Sequence, residues 1–238
     1  MPRSNDLRYP PPAEEVNGPA SRSSGVRGGL LFFGSIWGPD ADGSKDPGFS
    51  AGSLPFRAVN TIPAQPAKIV LYPDPVLARR AAPVEVFDEQ LQALVERMIE
   101  LMRDAQGAGL AAPQVGVSRR LFVIEGDAGP VETPQPMVFV NPEIELGGDL
   151  VPFEEGCLSI PDVRVTVRRP QAVRIKAVDV HGEPFELEDD DFLARVWQHE
   201  YDHLEGVLIT DRMSPRDRLA NRRTLKEMRL DFEQDSEQ

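Results

Sequence analysis

Two histidines four residues apart, His199 and His203, set the first condition on this chain; they lie in the run Gln198-His199-Glu200-Tyr201-Asp202-His203. On an α-helix, positions i and i+4 share one face, so both imidazoles can reach a single ion. Glu200, rotated by about 100°, can address a water beside that ion instead of binding it. The pair therefore supplies two ligands and a base, a combination suited to hydrolysis. A catalytic metal site also needs a third protein ligand and one open position. The bland alternative is two exposed histidines that fall at this spacing by chance.

In thermolysin-like metalloproteases the third ligand is a glutamate downstream of such a motif. Here Glu205 is too close along the helix, and the later acids sit in a basic, surface-like stretch. A better candidate lies upstream, at Cys157 in Glu155-Gly156-Cys157-Leu158-Ser159. A thiolate is a soft ligand that a divalent metal stabilises, and with two imidazoles it gives a tetrahedral site with one vacancy. Cys157 is the only cysteine, so no intramolecular disulfide can form and a reducing compartment is expected. Lone cysteines are more often small buried hydrophobes than reactive groups. A further segment, Gly107-Ala108-Gly109-Leu110-Ala111-Ala112-Pro113-Gln114, is dense in small residues that let a backbone approach a ligand. The Gln114 amide could face a developing oxyanion. Read alone, the segment fits a packing turn with an exposed glutamine better.

The chain around these residues has 238 positions, 40% of them hydrophobic, enough for one substantial core. No apolar run approaches the roughly 18 to 20 residues that span a bilayer, so no membrane role is expected. A net charge of −13 argues against an enzyme that wraps nucleic acid over its whole surface, while leaving room for a local basic patch. Residues 1–65, rich in Pro, Gly and Ser and without periodicity, read as a disordered N-terminal extension. Their six acids balance six bases, so the net charge belongs to residues 66–238, the expected catalytic domain. Those acids weaken a transit-peptide reading. A bacterial cytoplasm is the expected location, with an organelle interior as the alternative if the extension is a transit peptide.

From Lys68 onward the texture is that of a folded domain. Leu91, Leu94, Val95, Met98, Ile99 and Met102 have helical spacing, with Asp88 as N-cap and Gly107 or Gly109 as stop. Strands are expected at 120–124, 137–140, 163–167 and 172–180, the last turning through His181-Gly182 into 184–187. A second helix is expected from about Asp191 to Leu204, and a third, charged and superficial, from Pro215 to Leu230. Strands followed by helices without regular alternation indicate an α+β fold.

Taken together and in order, GAGLAAPQ, EGCLS and QHEYDH resemble the three signature motifs of the peptide deformylases, over roughly residues 68–215. The type I, bacterial or organellar, branch is the most similar. The resemblance implies antiparallel β-sheets packed around a central metal-binding helix, with a further N-terminal helix and a C-terminal helix. It implies that Cys157, His199 and His203 hold one divalent metal ion, Fe(II) in the cell, with Zn, Ni or Co as alternatives. The Gln114 side chain and the Leu158 backbone N–H would then stabilise the oxyanion, and Glu200 would shuttle the proton as formate leaves an N-formyl-methionyl nascent peptide. Gly109 would lie near the peptide backbone, and Phe192, Arg195 and Val196 would line the methionine pocket, Arg195 only with its aliphatic stem. For Phe192 and Val196 ordinary core packing is the competing account.

Glu155 and Arg169 are expected to pair, as matching positions in the family do; an exposed ion pair of no consequence is the alternative. Asp202 is either a buried supporting group or a solvated helix charge, and His181 is expected on a surface turn. The basic stretch Arg212, Arg216, Arg218, Arg222, Arg223, Lys226 and Arg229 suggests weak docking to ribosomal RNA, against the usual reading of a solvated face. Two competing functions are a zinc endopeptidase, which lacks its downstream ligand here, and a non-catalytic module stapled by a metal, which would have no need of Glu200 or Gln114.

Overall fold

The computed structural model describes residues 66, 68–126 and 135–236. The extension expected over residues 1–65 lies outside the described residues. After a 3-10 turn at Pro75–Ala78, helix α1 runs over Glu89–Asp104, strand β1 over Gly109–Ala111 and a second 3-10 turn over Ala112–Val115. Strands β2 to β5 span Leu121–Ile124, Met137–Cys157, Ile160–Val178 and Pro184–Asp189, and helices α2 to α5 span Phe192–Leu204, Ile209–Arg212, Pro215–Ala220 and Arg222–Ser236. The five strands form an antiparallel sheet in chain order, β1-β2-β3-β4-β5. The fold is α+β, with α2 packed on the sheet, as expected.

Helix α1 forms because its apolar stripe meets an N-cap: Asp88 Oδ1 accepts from Gln90 N and Leu91 N at 3.1 and 3.0 Å. Every apolar position in the expected stripe is buried, with Leu101 added. The helix stops earlier than expected. Gln106 takes a left-handed conformation (φ 54°), and Gly107 N donates back to Met102 O at 2.9 Å, so glutamine fills the capping position glycine usually takes.

The expected strands at 163–167 and 172–180 are one strand, β4, and 137–140 is only the start of β3. Pro170 did not end β4 because it faces Leu150 beside an irregularity in the pairing, between Gly147 and Leu150, where a proline's missing N–H is tolerated. Register shifts also fall between Val140 and Glu143 and between Gly156 and Cys157. Such shifts bend a strand and re-aim its side chains. The β3–β4 hairpin runs on past its pairing with β2 and β5 and ends in the Leu158-Ser159 turn, which follows Cys157.

Helix α2 buries Leu193, Ala194, Trp197 and Leu204 against Phe122, Phe139, Val173 and Ile175 of the sheet, with the Phe139 and Trp197 ring centroids 6.1 Å apart. Asp189 Oδ1 accepts from Asp191 N and Ala194 N at the start of α2. At its end Gly206 N donates to His203 O and Val207 N to Asp202 O, a left-handed cap with Gly206 at φ 72°. The single helix expected over Pro215–Leu230 is two, broken at Asn221. Nor is it wholly superficial, since Leu225 is buried and Met228 packs with it against Val163, Val165 and Ile209.

Candidate metal centre

Three elements that are distant in sequence meet at one point. Helix α2 presents His199 and His203 one turn apart, their ring centroids 5.1 Å from each other. The β3–β4 turn brings in Cys157, whose Sγ lies 3.3 Å from His203 Nε2. One donor atom from each of the three residues lies within 4.8 Å of the other two. A thiol and two imidazoles drawn together this tightly are a suitable donor set for a borderline divalent cation.

The surroundings fit a cation. Glu155 Oε2 sits 3.0 Å from His199 Nδ1, which fixes the ring and leaves Nε2 for the centre. Burial alone would lower His199, but Cys157 and Glu155 outweigh it and hold its pKa well above the ordinary value, so the acidic partners favour positive charge there. Burial, aided by the charges of His199 and Arg169, pushes His203 far down and keeps that ring neutral, as a ligand must be. Glu200 Oε2 and His203 Nδ1 are buried without a hydrogen-bond partner. Burial also pushes the Glu200 carboxyl up to about 7.

Gln114 is only 1% exposed, against the reading of an exposed turn residue. Its Oε1 accepts from Ala111 N at 2.8 Å, which turns Nε2 toward Ser159 Oγ at 3.3 Å and Cys157 Sγ at 3.5 Å. Gly109 lies against Glu200: a Cβ there would stand 2.6 Å from Glu200 Oε1. A cleft of about 710 Å³ is lined by Gly109, Gln114, Leu158, Phe192, Arg195, Val196 and Glu200 together with Cys157 and His199. Every expected site residue except His203 borders it, and His203 is buried behind Cys157, 1% exposed. The Arg195 head turns away, donating to the Arg169 and Pro170 carbonyls at 3.0 and 2.8 Å. His181 is exposed in the turn after β4.

The Glu155–Arg169 pair is buried and bidentate, at 2.6 and 2.8 Å. Asp202 is a buried supporting group, accepting from Arg169 Nη1 at 2.7 Å and from Arg212. Sequence reasoning missed Ser159, Gln198 and Phe153. Ser159 is fully buried beside Gln114. Gln198 donates to the Pro170 and Ala194 carbonyls, and the Phe153 ring meets Phe192 edge-on in the cleft wall at 6.1 Å. Adjacency to Cys157 and His199 could have flagged the first two. Nothing local marks Phe153, because its place depends on the strand pairing.

A buried thiol and two imidazoles beside a glutamate, opening on a cleft, define a metal-dependent hydrolase. Comparison with known proteins gives the kind. The polypeptide deformylase family model matches residues 66–219. The peptide deformylase of Thermotoga maritima is 46% identical over 162 residues, 68% of this chain and 95% of that protein. Peptide deformylase 1B of Arabidopsis thaliana, named as chloroplastic or mitochondrial, is 48% identical over 63% of this chain and 55% of that protein. Its crystal structure with an inhibitor superposes with a TM-score of 0.67 at 42% identity, over 72% of this chain and 94% of the other. This chain belongs to the polypeptide deformylase family, metal-dependent hydrolases that remove the N-formyl group from nascent peptides. Among the described residues no helix is long and apolar enough to cross a membrane.

Proposed function

We propose that residues 66–238 form a catalytic domain that hydrolyses the formyl amide of N-formyl-methionyl nascent peptides, releasing formate, with Cys157, His199 and His203 holding one divalent cation. Fe(II) is the proposed cation in the cell, with Zn, Ni or Co able to replace it. The observation that carries this reading is the convergence of those three donors within 4.8 Å beside Glu200. When bound, the cation polarises the formyl carbonyl and acidifies a water. Glu200 takes the proton of the attacking water and delivers it to the leaving amine nitrogen. Its Oε2 is buried with no hydrogen-bond partner of its own, which leaves it able to take up and return that proton. The Gln114 Nε2 and the Leu158 N–H donate to the oxygen that gains charge as the carbonyl becomes tetrahedral. Gln114 is suited to this because its carbonyl end is anchored on Ala111 N, so the amide does not have to be reoriented during the reaction.

In this reading Gly109 borders the peptide backbone, and Phe192, Val196 and the Arg195 stem receive the methionine side chain. Their shared lining of the cleft supports that assignment. The bacterial cytoplasm is the proposed location and an organelle interior the alternative; relatives of both kinds occur.

The direct test incubates anaerobically purified, metal-loaded protein with formyl-Met-Ala-Ser and with an unformylated longer peptide. Formate should appear only from the first, fall by about 10²-fold or more in Glu200→Ala, and persist in His181→Ala. No formate from the metal-loaded parent would overturn the reading.

For the ribosome, the proposal is weak docking of Arg216, Arg222 and Lys226, which are exposed on α4 and α5. Since Leu225 and Met228 pack on the core, charge reversal is a cleaner probe than deletion. Arg216→Glu, Arg222→Glu and Lys226→Glu together should abolish co-sedimentation with ribosomes at low salt. Unchanged co-sedimentation rejects docking through this face.

A further inference from the structure

We infer that Arg212 is a positioning residue for the metal centre, acting on His199 through a buried chain of charges. The inference rests on the reading of Cys157, His199 and His203 as a metal site. The chain begins at α3, where Arg212 Nε donates to Asp202 Oδ2 at 2.5 Å and Nη2 donates to Asp202 Oδ1. Asp202 Oδ2 also accepts from Arg169 Nη1 at 2.7 Å. Arg169 turns its remaining face, Nε and Nη2, onto both oxygens of Glu155 at 2.6 and 2.8 Å. Glu155 Oε2 then holds His199 Nδ1 at 3.0 Å.

Asp202 stands on α2 between His199 and His203, and both it and Glu155 are largely buried, with side chains 12% and 6% exposed. Two carboxylates therefore face one enclosed guanidinium, Arg169, whose side chain is 4% exposed. Arg212 supplies the second positive charge, so two acids meet two bases and Arg169 need not be drawn wholly to either carboxylate. Without Arg212, Asp202 Oδ1 loses the Nη2 donor, and Asp202 competes with Glu155 for Arg169. A buried carboxylate short of one partner moves toward the donor it has left. The consequence is a weaker or displaced Glu155, and with it a His199 ring no longer held for the cation. Groups that orient a metal-bound histidine in this way commonly change metal affinity by about 10- to 100-fold when removed.

The Arg212 side chain is itself 38% exposed, at the outer end of the chain of charges. It can thus be changed without opening a core cavity. It also belonged to the basic run that suggested RNA docking; engaged with Asp202, it is not a free surface charge.

The test titrates Co(II) into the metal-free protein and follows the visible ligand-field bands and the thiolate charge-transfer band, alongside the thermal midpoint of the metal-free form. In Arg212→Gln, cobalt affinity should fall by about tenfold with altered ligand-field bands. Arg212→Lys keeps the charge without the fork, and should retain the fold and recover part of the affinity. Arg174→Ala removes a surface cation paired with Glu186 and Glu188, and should match the parent. A lower thermal midpoint in Arg212→Gln with parental cobalt affinity and spectrum would make Arg212 merely structural and overturn the proposal. A parent protein that shows no thiolate-to-cobalt band would overturn the metal-site reading, and this inference with it.

Discussion

At Gly109 one added carbon would collide with the carboxylate of Glu200, the base of the proposed reaction, at 2.6 Å from Oε1. Real Cβ atoms do not approach a heavy atom so closely, and Glu200 Cδ and Cγ would also stand at 2.9 and 3.0 Å, so the side chain must swing toward the cleft it lines. Gly109→Ala should therefore displace the carboxylate while leaving Cys157, His199 and His203 in place. Formate release should fall by about 10²-fold, since a misplacement of about 1 Å costs that much, with Co(II) affinity unchanged. Steady-state kinetics and a cobalt titration on one preparation check both halves; parental turnover would show that Glu200 has another place to sit. Gln114 illustrates the opposite dependence. Its chemistry was readable as an amide among small residues, but whether it faced solvent or the centre was settled by burial and by its bond to Ala111 N.

Among the elements, α2 matters most because its register fixes both histidines. Its end is set by Gly206, whose φ of 72° places it in the left-handed region and whose missing Cβ leaves space for the Ala78 carbonyl, 2.8 Å from where that carbon would be. Gly206→Ala should destabilise the protein by at least about 1–2 kcal/mol from the backbone alone, more if the Pro75–Ala78 turn must shift. Urea unfolding monitored by circular dichroism measures this; a parental midpoint would mean the turn gives way freely. The amphipathic stripe of α1 and its Asp88 cap were evident from spacing because these are local properties. The merging of two short strands into β4, and the break of the C-terminal helix at Asn221, were not. Both depend on partners: pairing across to β3 carries the chain past Pro170, and packing of Leu225 and Met228 fixes where α5 starts.

For the molecule as a whole, the charges around the centre link folding to pH. Burial alone would raise the Glu155 carboxyl, but Arg169 first and then His199 outweigh it and hold it at about 2, against an ordinary 4.5. A folded-state value below the unfolded one contributes stability that is complete above 4.5 and is lost as pH falls toward 2. The shift corresponds to about 3 kcal/mol. In the metal-free protein, unfolding free energy should drop by roughly that amount across this window, and the Glu155→Gln variant should show a shallower fall. Equal slopes for the two proteins would remove Glu155 from the account. The family, the three candidate donors and the glutamate beside them were legible in the sequence by itself, because the spacing of two histidines on a helix and three short motifs are properties of the chain read along its length. Which way the Gln114 amide turns, and that Asp202 and Arg212 join the Glu155–Arg169 pair, were decided only by tertiary structure. Cys157 reaches His203 because the turn between β3 and β4 meets α2, and Glu155, Arg169 and Asp202 pair with one another and with the half-exposed Arg212 because burial takes water away from the first three. His199 and His203 define where a cation can sit, while the strands and charges folded around them determine how firmly it is held.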